Sequence, residues 1–346
     1  MSVSRSQNSD SESRLWRDLC SSHEAGPVGA GLRPMGTLSS TLSTALFAGV
    51  HDYHPEDLVV TVGAGTRLSE LNQRLVEQRQ WLPIVPFDGG DDTVGGLLAV
   101  GLGSWLSHAY GPLRDRVLGL RVVTPAFGPI FVGSRVVKSV AGYNLVRVMV
   151  GTRGALGVIT EAVLKVSPRE TLYAWTHPLG PDETAQAVGR PFEEVTANWT
   201  ARGVFRQNGH DFAYAIWDGS PELADPLIHH LGPPDGEAAP ILSPPSHAIL
   251  AEGAVPPRSV EAIWHFGLDC DVFQVEFQTG HFFMSLGDIR SWRALAQTVR
   301  QLSGSLKVLR GFSEPDLAPR SDPLWARLKE EFDPNRCLSD WKEVPS

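Results

Sequence analysis

The chemistry this chain can offer rests first on backbone atoms laid bare by missing side chains. Gly63 and Gly65 stand in VTVGAGTRLSE, and Gly95, Gly96, Gly101 and Gly103 in DDTVGGLLAVGLGS. Gly154 and Gly157 stand in GTRGALGVIT. Backbone N–H groups without side chains can close on an anion such as a diphosphate, and Thr93 adds a hydroxyl donor. Asp91 and Asp92, just upstream, would repel that anion and must point away from it. Close packing of a helix through small residues explains the same glycines, and composition does not separate the two readings. GTRGALGVIT runs into a β-branched strand. Such a strand, entered through glycine, can press its peptide groups against a flat ring such as adenine or a flavin, or can follow an ordinary tight turn. In VGAGTRL the third glycine of the dinucleotide fingerprint is replaced by Leu68, so Gly63–Ala64–Gly65 reads as a strand-to-helix turn.

Other catalytic signatures are absent. There is no HExxH, GxSxG or Walker loop. Cys20, Cys270 and Cys337 form no CxxC pair and no zinc spacing, and a cluster held by this chain alone would need about four thiolates. His229 and His230 in PELADPLIHHLG read as an exposed helix, and His265, Asp269 and Cys270 as a strand edge, so no metal site is expected. In GPLRDRVLG, Arg114 and Asp115 taken alone read as a solvated surface pair. A net charge of −9 with no Lys/Arg run excludes a nucleic-acid footprint.

These residues need elements to hold them. With 346 residues, 42% hydrophobic, the chain suits two domains. Residues 1–14, MSVSRSQNSDSESR, read as a disordered tail without the apolar core of a signal peptide. The apolar stretch from Val94 to Leu106 is too short to span a bilayer, and a cytoplasmic location is expected. A strand is predicted over 57–62, followed by a helix through TRLSELNQRLVEQRQ with Thr66 as its N-cap. A hairpin is predicted over 121–124 and 129–132, then a short helix capped by Asn144 and stopped at Gly151, then a strand over 158–166. Beyond Pro168, strands are predicted over 212–217, 272–278, 281–286 and 306–309. Helices are predicted from Asp288 to about Leu302 and over 324–332. The Pro/Gly/Ala-rich segment Pro233 to Ser259 reads as a long loop. The pattern is α+β.

Three blocks in order carry a family likeness: HPEDLVVTVGAGTRLSEL, then LPIVPFDGGDDTVGGLLAVGLGS with HAYGPLRDRVLGLRVV, then VVKSVAGYNLVRVMVGTRGALGVITEAVLKVSPR. Together they resemble the FAD-binding domain of the p-cresol methylhydroxylase and vanillyl-alcohol oxidase type. Within that group they are similar to the FAD-binding subunit of bacterial glycolate oxidase (glycolate dehydrogenase). The resemblance implies a two-lobed α+β FAD-binding domain over 15–170 and a C-terminal α/β cap-like domain over 171–346, with FAD extended between the lobes. It places Thr93, Gly95, Gly96 and Gly101 along the diphosphate and ribityl region. Tyr110, Gly111, Arg114 and Asp115 fall toward the isoalloxazine, and Gly154, Gly157, Val158 and Ile159 contact the cofactor through backbone. Three departures stand out. GAGLRPMGTLSS, Gly29 to Ser40, replaces an RGGGSK-like diphosphate loop, FDPNRCLSDWK replaces an FDP-then-NPG ending, and Ser139 and Asn144 replace an asparagine and an acid. With no His or Cys in that last loop, the FAD is expected to be non-covalent.

The likeness implies an FAD-dependent oxidoreductase subunit. Its flavin would accept a hydride from a small 2-hydroxy acid or electrons from a sister flavin subunit, and pass them to an iron–sulfur subunit. Membrane association would come only through those partners. No residue is assigned as catalytic base. A degenerate structural subunit without FAD and a stand-alone FAD oxidase of an alcohol or sugar acid are the alternatives.

Overall fold

The computed structural model describes residues 5–21, 25–28, 40–134, 145–180, 192, 198–236, 242–245, 248–310 and 323–338. The first unit holds a small parallel pair, β1 (Ala25–Val28) with β2 (Ser40–Ser43), and a five-stranded sheet. That sheet contains β3 (Val50–His54), β4 (Val59–Gly63), β6 (Val117–Thr124), β7 (Gly128–Gly133) and β8 (Val158–Lys165), in the order β3-β4-β8-β6-β7. A further short pair joins β5 (Gln80–Trp81) to β9 (Ser167–Pro168). Every neighbour pairing in the five-stranded sheet is antiparallel, which excludes a doubly wound dinucleotide fold. Central β8, VITEAVLK, is buried along both faces down to Leu164, as its β-branched run requires.

Two layers cover that sheet. On one side lie α2 (Leu68–Val76) and α3 (Val94–Val100), whose Leu71, Leu75, Leu97 and Leu98 enter the main core with Val60, Val62 and Ala162. On the other side α1 (Arg5–Cys20) brings Leu15 and Leu19 onto Phe47, Val123 and Val158. The tail expected over residues 1–14 is therefore helical from Arg5, with residues 1–4 outside the described residues. Glu12 explains why. It is buried, takes a bidentate bond from Arg121 and accepts from the Thr160 hydroxyl at 2.7 Å. The expected N-cap of α2 also shifts. Arg67 occupies that position, while Thr66 turns its hydroxyl oxygen to the Gly49 N–H at 2.7 Å.

The second unit is a seven-stranded antiparallel sheet in the order β10-β12-β11-β14-β15-β13-β16. Its strands are β10 (Thr171–Pro178), β11 (Ala201–Gln207), β12 (His210–Gly219), β13 (Ile249–Ala254), β14 (Phe273–Glu276), β15 (His281–Leu286) and β16 (Ser305–Arg310). Helices α6 (Pro221–Leu231), α7 (Val260–Gly267) and α8 (Ile289–Gln301) follow α4 (Ser107–Tyr110) and α5 (Leu145–Met149) of the first unit. His229 and His230 lie exposed on α6, as predicted, whereas His265 lies on α7 and not at a strand edge. One face of the sheet packs under these helices through Trp175, Trp264, Phe273, Phe282 and Trp292. Its other face, through Phe205, Tyr214, Ile216, Leu250 and Phe283, joins the core of the first unit. Strand β13 lies inside the segment expected to be a long loop. Its flanking prolines and glycines hide a six-residue run, ILAEGA, whose one acid is buried.

Helix α9 (Pro323–Phe332) returns the chain to the first unit. Lys329, 2% exposed, donates to Asp333 at 2.7 Å, to the Ala155 carbonyl at 2.9 Å and to the Leu338 carbonyl at 3.1 Å. Asp333 also accepts the N–H groups of Cys337 and Leu338. A buried pair so fully bonded is costly to break from one side. Lys329→Met is expected to lower stability in urea unfolding by about 3–5 kcal/mol. A loss below about 1 kcal/mol, the range of a solvent-exposed pair, would contradict this role.

Candidate functional site

The segment 88–103 is shaped by its turns. Thr93 caps α3, its hydroxyl oxygen accepting the Gly96 N–H at 3.2 Å. Among the described residues that hydroxyl donates to no partner. Asp91 is turned away, taking the Ser69 N–H at 2.9 Å and the Ser69 hydroxyl at 2.8 Å at the start of α2. Asp92 is buried, and its carbonyl accepts from the Leu68 N–H. The Asp91 carboxylate is thus committed to α2. The bonding of α3 narrows the anion reading, because its first N–H groups are all used. Val94 N–H donates to Thr66 O, Gly95 to Ala64 O, Gly96 to Thr93 Oγ1 and Leu97 to Thr93 O.

The glycines divide by what a side chain would meet. A Cβ on Gly95 would stand 2.8 Å from Ala64 Cβ, and one on Gly157 would stand 2.5 Å from Val122 Cγ1, so protein packing excludes both. Gly101 caps α3 in the left-handed region at φ +63° and faces the Gly151 Cα, 3.3 Å from where its Cβ would lie. That contact is fixed by Gly151 N–H to Leu98 O and Arg153 N–H to Ala99 O, both between 2.8 and 2.9 Å. On Gly111 and Gly151 a Cβ would meet nothing within 4 Å, and on Gly96 only Thr93 Oγ1. Bare backbone at 111 and 151 therefore fronts open space, and at 96 the one neighbour is the Thr93 hydroxyl.

A charged cluster from the second unit seats on this segment. Glu252 on β13 is 3% exposed. Its Oε1 lies 2.9 Å from His281 Nε2 and 3.2 Å from Lys307 Nζ, and the carboxylate also takes the Gly103 N–H. Lys307 continues to the carbonyls of Gly101 at 2.5 Å and Val100 at 3.3 Å. Phe87 stacks on both His281 and Phe283, each with ring centres 5.4 Å apart, and Trp105 meets Tyr214 edge-on at 4.8 Å. Burial pushes the Glu252 carboxyl up, but Lys307, His281 and the Gly103 N–H outweigh it and hold it at about 2.

The remaining predicted residues fall in two places. Tyr110 closes α4 and donates its hydroxyl to Asp218 on β12, while Arg116 lies over its ring with the guanidinium carbon 5.4 Å from the centroid. Desolvation, with Asp218, raises the Tyr110 phenol far above its ordinary value. Gly111 follows α4, whereas Arg114 and Asp115 are exposed and Asp115 pairs with Arg147 at 2.7 Å. Gly154, at φ +85°, and Gly157 shape the turn into β8, where Val158 and Ile159 are buried in two different cores. Gly29 to Ser39, Ser139 and Asn144 lie outside the described residues. Sequence reasoning missed Glu252, His281 and Lys307. None belongs to a recognisable motif, and only the signal of an acid inside ILAEGA pointed to burial.

Bare backbone at Gly111 and Gly151, and a Thr93 hydroxyl that keeps its proton to donate, are compatible with a dinucleotide cofactor. Residues 22–132 match the family described as FAD binding domain. Residues 22–132 thus carry an FAD-binding domain, and the fold is α+β. It is 42% identical over 130 residues to glycolate oxidase subunit GlcE of Escherichia coli, a match covering 37% of each chain. It is 38% identical over 138 residues to the mitochondrial D-lactate dehydrogenase [cytochrome] of Arabidopsis thaliana, covering 40% of this chain and 24% of that one. The matched part thus spans well under half the length of these curated relatives. A solved alkyldihydroxyacetonephosphate synthase superposes with a TM-score of 0.67 at 15% identity, over 96% of this chain and 75% of that one. No helix among the described residues is long and apolar enough to cross a membrane.

Glu252 sets an acid dependence. Its carboxyl is held below the ordinary value of 4.5, so its contribution is present above that pH and is lost as pH falls toward 2. Glu252→Gln is expected to flatten the pH dependence of unfolding between about 4.5 and 2. An unchanged acid limb, measured by urea unfolding at a series of pH values, would contradict this assignment.

Proposed function

We propose that this chain is an FAD-dependent oxidoreductase subunit of a glycolate-oxidase-like complex, acting on a small 2-hydroxy acid. The observation that carries the reading is the bare backbone at Gly96 and Gly151, where a Cβ would meet only the Thr93 hydroxyl or nothing, while the Asp91 carboxylate is turned to α2. The names of the relatives, a glycolate oxidase subunit and a D-lactate dehydrogenase, supply the substrate class.

FAD, when bound, supplies a two-electron acceptor. This chain's residues would hold and orient it without a covalent bond. Thr93 offers a hydroxyl, Gly96 and Gly151 offer close approach, and Tyr110 with Gly111 closes the end toward the second unit. Because the N–H groups of α3 are spent internally, the diphosphate grip would fall to the Gly29–Ser40 loop. The aromatic seal of Phe87 and Trp105 against Phe283 and Tyr214 closes much of the second sheet's inner face. The naming of two relatives as glycolate oxidase subunits supports a role that exchanges electrons with partner subunits, a sister flavin subunit and an iron–sulfur subunit in this reading. A structural subunit that holds no FAD is the competing reading, favoured by the altered Gly29–Ser40 loop.

The test is anaerobic addition of glycolate or D-lactate to the FAD-loaded chain, alone and with its co-purifying partners, following the visible flavin absorbance. Bleaching in the assembled complex is expected. An FAD-loaded complex that stays oxidised with both acids would overturn the substrate class.

A further inference from the structure

A cavity lies at one end of the seven-stranded sheet, where α4 meets the ends of β11 and β12. It is about 580 Å³ in volume and is lined by His108, Trp199, Thr200, Arg202, Trp217 and Asp218, with the amides of Asn198 and Gln278. Arg202 stands out. Its Nε is buried without a hydrogen-bond partner, and among the described residues its side chain makes no ion pair. A guanidinium left so is poorly satisfied and fits a planar anion through its fork. The Arg202 backbone N–H donates to Gln278 Oε1 at 3.2 Å, which sets the Gln278 amide at the same wall.

Asp218 limits what that anion can be. It accepts from the Thr200 hydroxyl at 2.5 Å and from Tyr110, one bond on each carboxylate oxygen. A carboxylate has about four lone-pair sites, so it can still take a ligand donor. One cation beside one anion disfavours a dianion such as phosphate, since the second charge would face Asp218. A monocarboxylate carrying a hydroxyl satisfies both groups.

We propose that this cavity binds a small hydroxy carboxylic acid, with its carboxylate on Arg202 and the amides of Asn198 and Gln278, and its hydroxyl donating to Asp218. This deepens the substrate class proposed above by giving this chain its own site for the acid. It concerns binding alone and needs no bound flavin.

The test is calorimetric titration of the full chain, free of FAD, with D-lactate and glycolate, with lactamide as the neutral control. Saturable binding of the acids, none of lactamide, and at least tenfold weaker binding by Arg202→Gln at an unchanged unfolding midpoint are expected. Arg202→Lys keeps the charge but loses the fork, and is expected to bind weakly. No binding by the wild-type chain, equal binding of lactamide, or full affinity in Arg202→Gln or Arg202→Lys would overturn the proposal. FAD uptake, read by visible absorbance in a separate titration, can fail or succeed independently of these heats.

Discussion

A buried carboxylate, Glu252, draws its partners from both units of this protein. Removing a carboxylate from water is expensive, and only several donors in good geometry offset it. Here His281 and Lys307 come from the neighbouring strands, and the Gly103 N–H comes from the other unit. The requirement reaches back into sequence. A Cβ on Gly103 would stand 2.5 Å from Glu252 Oε1, so position 103 must be glycine for protein reasons. Lys307 then reaches the carbonyls at the end of α3, so the segment that fronts the open space is braced from the second unit.

Two further buried ionic contacts serve the same wall from the chain's ends. Glu12 ties α1 to Arg121 and Thr160 beneath β8. Lys329 and Asp333 tie α9 to the Ala155 carbonyl, inside the turn that leads into β8. The turn at 150–157 is consequently held by α3 on one side and α9 on the other. A flat cofactor lying there would meet backbone with little freedom to move, which lowers the ordering entropy lost on binding.

Much of the first unit was legible in sequence because its signals are local. β-branched runs marked β4 and β8 and Gly128 marked the hairpin, and in the second unit Asp288 capped α8 as expected. What failed was non-local. Helix α1 exists because Glu12 finds Arg121, and nothing within MSVSRSQNSDSESR announces that partner. Strand β13 was hidden among prolines and glycines, and Glu252 with it. The anion reading of DDTVGG was legible only in part. Asp91 does point away, but the donors expected at Gly95 and Gly96 are consumed by Ala64 and Thr93. A glycine's sequence position cannot tell whether its missing side chain makes room for a ligand or for a neighbour.

The most direct measurement is a visible absorption titration of the purified chain with FAD, beside Gly96→Val. The account predicts that the wild-type chain takes up FAD with a perturbed flavin spectrum, and that Gly96→Val folds normally but binds at least tenfold more weakly. A wild-type chain that leaves the spectrum of free FAD unchanged, or a valine variant that binds as well, would contradict a cofactor seated on the bare backbone of α3.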